Sequence, residues 1–171
     1  ETARDAGVNL QFLTGNEGSW RTRYEPSADA SATDYRTLVT YKETWANQKI
    51  DPAAEWTGTW RDPRFASSAQ GGGLPENALT GTMYVVNNSD SPVTVNNEEG
   101  KLRLWRNTSL TSLVPGTSAE LAPHTVGYES NEDIDNGFRP QGLIQLSTTV
   151  AATPEYLIDH GNTVVPGVTH H

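Results

Sequence analysis

The stretch Glu1-Thr2-Ala3-Arg4-Asp5-Ala6-Gly7-Val8-Asn9-Leu10-Gln11-Phe12-Leu13-Thr14-Gly15-Asn16 carries the strongest signal for architecture. Residues 1–7 read as the last turns of a helix closed by a glycine, which tolerates the left-handed conformation that ends helices. Residues 8–13 then alternate apolar and polar side chains, the period of a half-buried strand, and Thr14-Gly15-Asn16 turns the chain. Helix, loop and strand make the half-step from which α/β sheets are assembled, and in such sheets ligands sit beyond the carboxyl ends of the strands. Asn16 and Glu17-Gly18-Ser19-Trp20-Arg21 are therefore expected at a binding edge. The helix has no beginning, so the chain is expected to be incomplete there.

Outward from that unit the pattern turns to β. Residues 26–33 are rich in Ser, Ala and Asp and read as a surface loop. Strands are expected over 36–41, 79–86, 92–95, 101–105, 125–129 and 143–150, most bounded by Gly, Pro, Asn or Asp. Gln70-Gly71-Gly72-Gly73-Leu74-Pro75 reads as a flexible loop, and Asn87-Asn88-Ser89-Asp90-Ser91-Pro92 as a hairpin connection. A short helix capped by Thr153 is expected over 154–159. The division is thus 1–25 as helix end, strand and pocket-edge loop, 35–150 as mostly β, and 151–171 as a tail.

Composition narrows the function classes. The net charge is -9 and the basic residues are scattered, which gives no electrostatic footprint for nucleic acid or anionic lipid. With no cysteine, there is neither a disulfide framework nor thiolate chemistry. No apolar run approaches the roughly 20 residues that span a bilayer. The abundance of Thr, Ser, Asn and Gly and the scarcity of Lys suit a β-rich secreted protein.

The densest polar run is Tyr128-Glu129-Ser130-Asn131-Glu132-Asp133-Ile134-Asp135-Asn136-Gly137. Alternating oxygen ligands at Asn131, Asp133 and Asp135 match the first half of a calcium loop, but the sixth position is Asn136 rather than Gly and the twelfth is Gly142 rather than Glu. A solvated acidic turn is the better reading. Glu129 differs, because it abuts the apolar part of its strand, where an inward carboxylate needs a partner. His124, His160, His170 and His171 lack the i, i+4 spacing of a helical zinc site. Trp56-Thr57-Gly58-Thr59-Trp60-Arg61-Asp62-Pro63-Arg64 reads as a core strand with an Arg-Asp turn or, alternatively, as a carbohydrate platform.

Several strings together carry a family resemblance: Ala3-Arg4-Asp5-Ala6-Gly7-Val8-Asn9-Leu10, Trp20-Arg21-Thr22-Arg23-Tyr24-Glu25-Pro26, Thr57-Gly58-Thr59-Trp60-Arg61-Asp62-Pro63-Arg64, Gly127-Tyr128-Glu129 and Asp135-Asn136-Gly137-Phe138-Arg139-Pro140. The chain resembles the C-terminal domain of the N,N-dimethylformamidase large (beta) subunit family, especially its secreted multidomain actinobacterial members. That resemblance implies an α/β fold with large β-rich content, a partial class I glutamine amidotransferase-like domain interrupted by β-strand insertions. It also implies hydrolysis of a non-peptide C–N amide bond at a mononuclear iron held by two tyrosines and one glutamate. Glu129 is the expected metal ligand, with Asn16, Trp20 and Tyr128 near the substrate pocket. A tyrosine ligand is expected in a segment that this chain lacks, so the chain alone is expected to be inactive. The remainder of the parent polypeptide or another chain would complete the domain, at a bacterial cell surface or outside the cell. The alternative is a noncatalytic surface or assembly module that binds glycan or protein.

Overall fold

The computed structural model describes residues 1–13, 15–16 and 18–170. Thr14 and Glu17 of the expected binding edge, and His171 of the tail, lie outside that set. The strands are β1 (Arg23–Glu25), β2 (Thr37–Val39), β3 (Met83–Ser91), β4 (Thr94–Asn96), β5 (Ser118–Glu120), β6 (Val126–Glu132), β7 (Ala151–Thr153), β8 (Glu155–Ile158), β9 (Thr163–Val165) and β10 (Val168–His170). Single-turn helices α1 (Thr2–Asp5), α2 (Glu43–Ala46) and α3 (Asn77–Thr80) interrupt them. The largest sheet has the order β6-β3-β8-β9, and three two-stranded ladders, β1-β2, β4-β5 and β7-β10, surround it. Every ladder is antiparallel.

This architecture corrects the α/β expectation and with it the glutamine amidotransferase-like arrangement: the chain is β-rich, 26% strand against 15% helix, in several small antiparallel sheets. The reason lies in residues 8–13. Alternation supplies a strand with a face, but only a neighbouring backbone supplies its ladder, and 8–13 pairs with no strand among the described residues. Val8, Leu10 and Leu13 consequently stand 54%, 44% and 79% exposed. Other boundaries move as well. Residues 101–105 form 3-10 turns, 143–150 run without regular structure, and the expected helix over 154–159 is strand β8. The β-branched and aromatic residues of the tail favour the sheet once β3 offers its edge, through the pairs Val86↔Tyr156 and Asn87↔Glu155.

The accessible surface is 10441 Å², against about 8200 Å² for an ordinary monomer of this mass. Apolar burial is correspondingly thin. Val85, Val86 and Leu157 fill the centre of the main sheet, and Val95 and Leu110 a smaller cluster beside β4. The other core, over residues 43–62, is polar. This segment has only one helical turn, so its backbone donors cannot be satisfied by a ladder and side chains take that role.

Glu43 is fully buried and accepts from the N–H groups of Ile50, Asp51 and Thr57, each at 2.7 Å. Lys49 Nζ lies 3.1 Å from the same carboxylate. Asp51 receives Arg23 through two parallel contacts of 2.9 Å, and Asp62 receives Arg64 in the same forked manner. Thr44 Oγ1 donates to Asp62 at 2.7 Å and accepts from Thr59 N–H at 2.8 Å. The platform reading of 56–64 gives way here to the structural one, because Trp56, Arg61 and Asp62 are all buried.

Burial by itself would push the Glu43 carboxyl up, but the hydrogen bonds from Asp51, Thr57, Lys49 and Ile50 outweigh it and hold it below its ordinary 4.5. A carboxyl depressed by folding stabilises the fold above its unfolded value and loses that contribution as pH falls through the folded one. Glu43→Ala should therefore cost about 3 kcal/mol or more at neutral pH, since three buried N–H groups lose their acceptor. In urea unfolding, the gap between wild type and variant should narrow as pH drops below 4.5. A gap that is constant from neutral pH down to full acid unfolding would contradict this account.

Candidate functional site

β3 and β6 pair in the register Tyr84↔Asn131 and Val86↔Ser130, with an irregularity between the two pairs. Directly opposed residues share a face, and neighbours along a strand point to opposite faces. Asn131 and Glu129 therefore lie on the face of Tyr84, whereas Ser130 and Glu132 lie on the other. Tyr84 Oη donates to Glu129 Oε1 at 3.2 Å. Asn16 Nδ2 donates to the same Oε1 at 3.4 Å.

This contact requires glycine at position 15. A Cβ there would lie 2.5 Å from Glu129 Cβ and 3.0 Å from its backbone, so any larger residue would push the loop off β6. Gly15 thus sets how near Asn16 comes to the carboxylate.

Around the pair opens a cleft of about 680 Å³. One wall is residues 10–13, the other is β6 with Thr125, and Thr80 and Thr82 close the floor. Glu129 is half-buried and faces no cation among the described residues. Burial pushes the Tyr84 phenol well above the ordinary tyrosine range, and the Glu129 charge pushes it further, so its proton stays in place.

The sequence-derived candidates divide. Glu129 lines the cleft and is met by Asn16, which like Tyr128 is outside the lining; Tyr128, next along β6, is 62% exposed. Trp20 bridges to Thr59 and stacks edge-on against Trp45 at 5.9 Å, with Lys42 Nζ 5.3 Å from its ring, and is outside the cleft lining. Tyr84 escapes sequence reading altogether. Inside Thr82-Met83-Tyr84-Val85-Val86 it looks like one more buried strand residue, and only the β3-β6 register reveals what its hydroxyl reaches.

The histidines and the acidic run scatter. His124 pairs with Asp90 at the surface at 2.7 Å, and His160 Nδ1 lies 3.6 Å from Asp159. His170 is 4% exposed, with Nδ1 3.3 Å from Glu132 Oε1, and Tyr156 Oη donates to Glu132 Oε2 at 2.7 Å. That cluster lies across the sheet from Glu129. Of the residues expected in a calcium loop, Asn131 donates to Thr82, Asp133 is held by Arg139, and Asp135 is exposed. Among the described residues no three His, Cys, Asp or Glu side chains gather as a metal-binding group, and no helix is long and apolar enough to cross a membrane.

A protein-family description, N,N-dimethylformamidase beta subunit-like, C-terminal, matches residues 1–169. No curated protein and no solved structure matches the chain.

With its phenol held protonated, Tyr84 should be silent when the tyrosines titrate at about pH 10. Tyr84→Phe is expected to leave the absorbance rise at about 295 nm unchanged in that range. A drop by one full tyrosine in the folded protein would contradict the burial of this hydroxyl.

Proposed function

The chain belongs to the N,N-dimethylformamidase beta subunit-like C-terminal family, and from that premise we propose that it supplies the carboxylate side of a site that hydrolyses a non-peptide amide. The supporting observation is Glu129: a half-buried carboxylate at a cleft, fixed by Tyr84 and Asn16 and facing no cation among the described residues. A partly buried carboxylate without a counter-charge can take a positive partner, either a metal ion or charge that develops during reaction.

The donor set fits a hard cation in part. A carboxylate is the chemistry that oxygen-preferring ions select, and Glu129 would hold such an ion. When bound, such an ion would polarise the amide carbonyl or supply hydroxide. The remaining ligands come, in this proposal, from another segment or chain that closes the cleft. The chain's own residues contribute positioning: Asn16 and Tyr84 both donate to Oε1, which fixes the rotamer of Glu129 and leaves Oε2 turned to the cleft's partner. We place this activity outside the cell or at its surface, a reading supported by composition.

A noncatalytic binding module is the competing reading, and one observation favours it. Trp45 stands 54% exposed beside Trp20, with Lys42 near both rings, an arrangement suited to stacking on a sugar or on a partner side chain.

Metal analysis separates the two. In the assembled parent protein, near-stoichiometric iron is expected in the wild type, with at least a tenfold loss in Glu129→Ala at unchanged thermal stability. A wild type without iron, or a Glu129→Ala variant that retains it, would sink the metal-dependent reading. Glycan or protein binding lost in Trp45→Ala would then support the module.

A further inference from the structure

Next to the Glu129 cleft lies a second chamber of about 520 Å³ with a different lining. Trp60, Leu74, Pro75 and Leu79 form its walls, and the backbone of residues 70–71 closes one side. The closure is tight: a Cβ on Gly71 would meet the Trp60 ring at 2.5 Å, so the glycine lets the main chain lie against the indole. Phe12 and Thr80 line both spaces, so the polar cleft and the apolar chamber adjoin across these two side chains.

The one buried charge at the chamber's wall is already engaged. Glu76 Oε1 receives Arg61 at 2.9 Å and Tyr84 N–H at 3.1 Å, and its side chain is 2% exposed. The chamber therefore offers mainly ring and hydrocarbon surface, with Glu1 in its lining and Glu76 Oε2 free of hydrogen-bond partners. Its volume lies within the range of about 300–1,000 Å³ typical of small-molecule sites, which are mostly apolar with a few polar groups at one end. Here the polar end is supplied by the neighbouring cleft.

We propose that this chamber receives the aryl or bulky hydrocarbon substituent of a neutral amide whose carbonyl is presented to Glu129. The inference rests on the reading of Glu129 given above and extends it to the substrate class. An anionic substituent would face the carboxylates of Glu1 and Glu76, and a one-carbon substituent would leave most of the chamber unfilled. A planar ring can stack on Trp60 and fill the space between Leu74 and Leu79.

The test uses N-phenylacetamide and acetamide as probes on the chain as it stands, followed through the Trp60 indole N–H resonance, which Trp60→Phe assigns. N-phenylacetamide should shift that resonance and bind at least about tenfold more tightly than acetamide. Ala78→Phe, which adds a ring to the chamber wall, should weaken N-phenylacetamide about tenfold and leave acetamide unchanged. Leu74→Ala provides a second variant at an exposed position, with an expected loss of severalfold. Equal affinities, no response of Trp60, or undiminished binding in both variants would overturn the proposal. Failure of the Glu129 reading looks different: N-phenylacetamide still binds and shifts Trp60, but iron uptake by the parent is indifferent to Glu129→Ala. That result keeps the chamber as an aryl-amide site and removes the metal pole beside it.

Discussion

The buried carboxylate of Glu43 is the constraint on which the remaining structure depends. Between α2 and Asp62 the chain has no strand, yet Asp51, Thr57, Thr59 and Asp62 are all buried. Backbone donors in such a place are costly without acceptors, and Glu43 supplies acceptors for three of them. Removing the charge by protonation or substitution would not merely weaken a surface pair. It would leave the interior of a loop unsatisfied, which explains why the carboxyl is held below its ordinary range despite complete burial.

From this polar knot a series of contacts runs to the candidate site. Thr59 Oγ1 donates to the carbonyl of His160 at 2.6 Å, and Trp45 Nε1 to that of Gly161 at 3.0 Å, which ties the loop to the turn between β8 and β9. Arg61 reaches the Tyr84 carbonyl and Glu76 together, and Glu76 in turn accepts from Tyr84 N–H. Burial lowers Arg61 and raises Glu76, so each charge relies on the other, and their joint product is a fixed backbone at Tyr84. The phenol that meets Glu129 is thus positioned by an ion pair on the far side of its own main chain. Arg21, held between Trp56 and Trp60 at 5.6 and 5.5 Å, also props the ring that faces the apolar chamber.

How much of this was legible depends on the range of the interaction. Local signals worked for β2, β4 and the first part of β6, where β-propensity and turn residues agree, but missed β1 inside the expected pocket-edge loop. They failed for 101–105 and 143–150, whose apolar residues have the right composition but form no ladder beyond the single bond from Thr148 N–H to the Thr94 carbonyl, and for 154–159, where Thr153 looked like a helix cap but serves as an acceptor in a strand turn. The α/β expectation failed for the same reason at 8–13: periodicity describes a face and says nothing of who pairs with it. Glu129 could be singled out because a carboxylate beside an apolar run is anomalous within the sequence itself. Tyr84 could not, because a tyrosine in a strand is ordinary and its contact with Glu129 arises only from register.

The two glutamates of β6 show what register decides. Glu129 and Glu132 are three apart, so the pleat directs them to opposite faces, and each meets a phenol: Tyr84 for the first, Tyr156 for the second. Composition alone cannot rank them. Glu132 lies 8% exposed against His170, its charge enclosed by strands β8 and β10. Glu129 opens on a cleft also lined by residues 10–13, which have no regular structure and belong to no ladder. The role proposed for Glu129 needs access as well as partial burial, and its position on the face turned to residues 10–13 is compatible with both. A slip of one residue in the β3-β6 ladder would exchange the two environments. The irregularity between Tyr84 and Val86 is therefore what settles which glutamate the cleft receives.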